Sequence, residues 1–112
     1  MDRPSVSDAT RREYDRIAER FALETGATPG QMMGMPTLFF EGKAFAGLFG
    51  EAMVFKLEGE AHTAALAEPG AVLFDPSGMG RPMKAWIQVP SADASAWPRL
   101  ADQALEALRA RV

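Results

Sequence analysis

The chain has 112 residues, of which 47% are hydrophobic and 24% charged, with a formal net charge of −3 and no cysteine. That length suits one small domain with a single core, so residues 1–112 are read as one domain of ordinary globular composition. The mild acidity argues against a general affinity for nucleic acid or anionic membrane. The lack of thiols excludes disulfides, thiolate catalysis and thiolate metal sites.

The opening segment, MDRPSVSDATRREYDR, is polar and has no apolar run suited to secretion or membrane insertion. It predicts a cytoplasmic protein with no membrane partner. From Ser7 to about Thr25, Tyr14, Ile17, Ala18 and Phe21 recur at helical spacing, with Ser7 as N-cap and Gly26 as the left-handed stop. Arginines and acids alternate on the other faces, the pattern of ion-pair ladders on a solvated surface.

Residues 26–35, GATPGQMMGM, have the Gly, Pro and Thr content of a connection and read as a packed loop. Met32, Met33 and Met35 are flexible apolar fillers there, with a small-molecule pocket as the alternative. Three strands follow, joined by two-residue turns at Glu41-Gly42 and Gly50-Glu51. Counting back from those turns pairs Phe39 with Ala44, Leu38 with Phe45, Leu48 with Met53 and Ala46 with Phe55. Strand parity then puts Thr37, Phe39, Ala44, Ala46, Leu48, Met53, Phe55 and Leu57 on a core face. Phe40, Phe45, Phe49 and Val54 fall on a second face that is too apolar for water.

Residues 60–68 read as a helix stopped by Pro69-Gly70, and 71–74 as a short strand. DPSGMGRP is a turn in which Ser77, Gly78, Gly80 and Arg81 could contact an anion. MKAWIQVP is a strand whose Met83, Ala85, Ile87 and Val89 face the core, leaving Trp86 with the phenylalanines of the second face. A last helix from about Ser95 buries Trp97, Leu100, Ala101, Ala104, Leu105 and Leu108. The expected fold is α+β: a two-layer sandwich of a five-stranded antiparallel sheet with helices on one face, in the order α-β-β-β-α-β-β-α.

The single histidine, His62, has no nucleophile motif attached to it. The carboxylates Glu41, Glu51, Glu58, Glu60, Asp75 and Asp102 fall in turns or on polar helix faces. No catalytic residue, cofactor or metal ligand is therefore expected. The second-face residues Phe40, Phe45, Phe49, Val54 and Trp86 form the expected interface, for a homodimer or another protein partner.

The run MMGMPTLFFEGKAFAGLFGEAMVFKL, followed by a helix, MKAWIQVP and an alanine-rich terminal helix, resembles the N-terminal domain of the TfoX/Sxy family of bacterial competence regulators. It is also similar to the related YjbR/MmcQ group. Met32-Met33-Gly34-Met35 stands where the family has Met-Phe-Gly-Gly, and Glu41-Gly42-Lys43-Ala44-Phe45 where it has an Asp-Gly-Lys hairpin followed by Phe. The resemblance implies an antiparallel sheet with helices packed on it, and a non-enzymatic, regulatory role. As a second reading it implies a nucleic-acid-binding module, for which Lys43, Lys56, Arg81 and Lys84 are the available cations.

Overall fold

A computed structural model describes residues 5–111. Helix α1 (Asp8–Thr25) begins where the Ser7 hydroxyl accepts from the Thr10 amide at 3.2 Å, and it ends at Gly26, φ 78°. Tyr14, Ile17, Ala18 and Phe21 make its buried stripe, while Arg11–Asp15 and Arg16–Glu13 pair at 3.0 and 2.8 Å on the solvated side. These last are exposed helix pairs, each contributing a few tenths of a kcal/mol, ~0.3–0.5.

Six strands follow, one more than expected: β1 (Thr28–Met32), β2 (Met35–Phe40), β3 (Lys43–Phe49), β4 (Ala52–Lys56), β5 (Val72–Phe74) and β6 (Met83–Pro90). The added strand is β1, formed by TPGQM within the expected loop. Met33 and Gly34, with φ 53° and 77°, close a two-residue hairpin between β1 and β2. The prolines fit this ladder because of its phase. In such a hairpin the closing pair, Met32 and Met35, is hydrogen-bonded, and pairs alternate from there. Gln31 with Pro36 and Pro29 with Leu38 are therefore non-bonded positions, where the missing N–H breaks no β1–β2 bond.

Helix α2 (Gly59–Leu66) sits between β4 and β5, and a 3₁₀ turn (Ser91–Ala96) leads into helix α3 (Trp97–Arg111). All neighbouring strands are antiparallel, in the spatial order β1-β2-β3-β4-β6-β5. The three helices share one face, α1 lying against β1, α3 against β3 and β4, and α2 against β6. All six residues of the expected stripe on α3 are buried. Trp97 is fully buried and its indole N–H donates to the Val89 carbonyl at 3.1 Å, tying α3 to β6.

The register differs from simple counting at one place. Phe39 pairs with Ala44 as expected, but Leu38 pairs with Ala46, so Phe45 is an extra residue in β3. This bulge reverses the parity of β2 relative to β4. Leu38, Phe40 and Phe45 join Ala46, Leu48, Met53, Phe55 and Leu57 in the helix-side core, while Phe39 is only half-buried and Ala44 packs on the other side. In β6, Ile87 and Val89 enter the main core as expected. Met83 instead packs on the second face and Ala85 is exposed, because the pairing slips from Leu73–Ile87 to Phe74–Met83 across the β5–β6 irregularity.

Candidate functional site

The expected interface separates into two groups. Phe45 is fully buried under α1, its ring 5.7 Å from that of Phe21, and is a core residue. Phe40 is half-buried on the same side, with the Arg109 guanidinium 5.0 Å from its ring centre. Phe49, Val54 and Trp86 do share the second face, but the chain covers them itself. Met35, Val54, Phe74 and Trp86 form a second small core, flanked by Met32, Ala44, Phe49 and Met83, and Trp86 is only 6% exposed. An apolar second face here marks a second internal layer rather than an open patch.

The turn whose groups could contact an anion is likewise occupied from within. The Asp75 carboxylate accepts from Ser77 Oγ at 3.2 Å, from the Gly78 amide at 3.2 Å and from the Gly80 amide at 2.9 Å. Ser77 Oγ accepts in turn from the Met79 amide at 3.3 Å. The chain's own carboxylate fills the concavity that Ser77, Gly78 and Gly80 were expected to offer, and Arg81 is exposed beside it. An incoming anion would meet a negative charge there.

Other polar groups tie elements together. His62 Nε2 lies 2.8 Å from the Lys84 carbonyl, joining α2 to β6. The Glu51 carboxylate, at the β3–β4 turn, accepts from the Thr10 hydroxyl, the Ser7 amide and the Ser7 and Ser91 hydroxyls. The Thr10 hydroxyl first, and then the Ser7 amide, hold its pKa below the ordinary glutamate value. It neutralises the positive end of α1. Near α3, the neighbouring Asp93 carboxyl first, and then the Arg99 guanidinium at 3.0 Å, hold the Glu68 pKa below the ordinary glutamate value, and the nearness of Glu68 raises that of Asp93. Among the described residues no group of three or more His, Asp or Glu is placed to hold a metal ion. No described helix is long and apolar enough to cross a membrane.

Two grooves adjoin at the end of the molecule built by α1 and the β1–β2 hairpin. One, of about 410 Å³, lies between the α1 N-terminus and the strand ends and is lined by Val6, Met33, Met35 and Phe49 among others. This is the place where the methionine segment was expected to offer a pocket, although Met32 turns to the second core instead. The other, of about 390 Å³, runs between α1 and β1 past Tyr14, Ala18, Ala22, Pro29 and Gly30. Both include Arg11, Gln31 and Pro36. Met33, which lines the first, is 57% exposed. Tyr14 is buried and its hydroxyl has no partner among the described residues; burial pushes its pKa upward. Sequence reading missed the second groove and the sheet edge because β1 was read as loop, although Met33-Gly34 between extended segments is a hairpin signal.

The four cations do not gather there. By register Lys43 stands with Phe40 on the helix side of the sheet and Lys56 with Trp86 on the other. Searches of protein-family models, curated proteins and solved structures return no match to this chain.

Proposed function

We propose that this chain is a non-catalytic protein-association domain that acts in a regulatory role, and that it receives its partner at the end formed by α1 and the β1–β2 hairpin. The observation that carries this reading is the meeting of two grooves on Arg11, Gln31 and Pro36, beside the exposed Met33 and an uncovered sheet edge. The second groove is mainly apolar, with Arg11, Asp15, Glu19 and Gln31 as its polar groups, the usual make-up of a binding cleft. The partner surface is therefore moved from the second sheet face, which the chain covers itself, to this end. The regulatory role and a bacterial setting come from the resemblance to the TfoX N-terminal domain.

The test is photocrosslinking in cells with benzoylphenylalanine in place of Met33, and in place of Met79 as a control. Met79 is 77% exposed in the loop between β5 and β6 and lines neither groove. Protein adducts that form from position 33 and not from position 79 support the reading. Adducts from position 79 alone, or from neither, contradict it.

A further inference from the structure

The two sheet edges are not alike. β5 is three residues long and irregularly paired, the usual way of blunting an edge. β1 has five residues, carries no charge and is exposed over most of its length. The hairpin phase settles which of its backbone groups point outward. With Met32–Met35, Gly30–Thr37 and Thr28–Phe39 as hydrogen-bonded pairs, the outward groups are the N–H and C=O of Gln31 and the C=O of Pro29. Pro29 has no N–H to offer.

Groups at this spacing fit one kind of occupant, another extended backbone about 4.8 Å away. The groove beside β1 fits the same occupant. Its α1 wall runs from Arg11 to Ala22, about 16 Å at helical rise, the length of roughly five extended residues. Ala18 and Ala22 leave room for the side chains that an added strand would direct toward α1. Its charge is also uneven, because Arg11 is engaged by Asp15 at 3.0 Å while Glu19 has no ion-pair partner among the described residues.

We infer that β1 takes up an extended segment of a partner protein as a seventh strand, centred on Gln31, with apolar side chains over Ala18 and Ala22 and a lysine or arginine opposite Glu19. This rests on the association reading above and names its partner chemistry. Pro29 fixes the register, since a partner carbonyl facing it finds no donor, and the full pair of backbone bonds forms only at Gln31.

The probes are two blocked pentapeptides, acetyl-Val-Thr-Val-Thr-Lys-amide, whose two valines and lysine share the face toward α1, and its Thr-for-Lys counterpart, titrated into the 15N-labelled chain. The Lys peptide is expected to shift the Gln31 amide saturably. Gln31→Ala, which keeps the backbone donor but trims the side chain that lines both grooves, is the reference against which loss of that donor is read. Gln31→Pro, which also removes the outward N–H, should bind about tenfold more weakly than that reference. Protected Gly30 and Met32 amides in that variant show that the hairpin has kept its fold. Glu19→Gln should weaken the Lys peptide several-fold and leave the Thr peptide unchanged. The inference is overturned if no peptide moves the Gln31 amide, if Gln31→Pro binds as Gln31→Ala does, or if the edge is already taken by a second copy, seen as self-association that Gln31→Pro abolishes. Crosslinking at position 33 needs no extended peptide, so it reads the broader association claim separately.

Discussion

The rings of Phe49 and Phe74 meet edge to face, 5.0 Å between centres, although two strands separate β3 from β5 in the sheet. In a flat sheet three strand spacings are about 14 Å, so the chain at Phe74 must leave the sheet plane and fold across the second face. The slip in β5–β6 pairing is where it does so: one step from Leu73 to Phe74 matches four from Ile87 to Met83. Phe74 is fully buried there. Its replacement by Ala should cost about 3–5 kcal/mol and expose Trp86, which chemical denaturation followed by Trp fluorescence will report. A loss below about 1 kcal/mol would mean that Phe74 is not the cover.

Phe45→Ala should destabilise by a similar amount, about 3–5 kcal/mol, and Phe45→Lys should prevent folding, since the ring is sealed between β3 and Phe21. Circular dichroism distinguishes this from a surface role, in which the lysine variant would stay folded.

Tyr14→Phe removes a buried hydroxyl that has no partner among the described residues. Stability should be unchanged or raised, by about 1 kcal/mol. The raised Tyr14 pKa also gives alkaline lability: its contribution is complete below the unfolded tyrosine value of about 10 and is lost as pH rises beyond it. Melting curves from pH 8 to 12 should fall less steeply for Tyr14→Phe than for wild type. Parallel curves would refute this assignment.

Glu51 gives the opposite sign. Its pKa is depressed in the fold, first by the Thr10 hydroxyl, so its contribution is present above the unfolded glutamate value and disappears as pH falls through the folded one. Glu51→Gln should therefore lower the melting temperature at pH 7 and converge with wild type in acid. A constant difference across that range would contradict the assignment.

Much of the fold was legible because hydrophobic periodicity reports it directly. The stripes Tyr14-Ile17-Ala18-Phe21 and Trp97 to Leu108 admit no other helix face, and Glu41-Gly42 and Gly50-Glu51 close the hairpins where the turn residues stand. Parity failed at Phe45 because a bulge adds a residue without any local sequence mark, and every side chain of β2 then changes sides. β1 was hidden by its own composition. Pro29 and Gly30 signal a loop until the partner strand shows that Pro29 occupies a position needing no N–H toward β2. The second groove and the open edge were lost with it, whereas the Asp75 bonds to Ser77, Gly78 and Gly80 are local and belong to the Gly/Pro turn that the sequence shows.

The central claim is that β1 is an open edge with Gln31 as its outward bonding pair, and amide hydrogen exchange on the purified chain tests it most directly. Gly30 and Met32, bonded to β2, should be protected, while Gln31 between them should exchange at nearly the unstructured rate. Protection of Gln31 equal to that of its two neighbours would show the edge already covered, and would contradict the account.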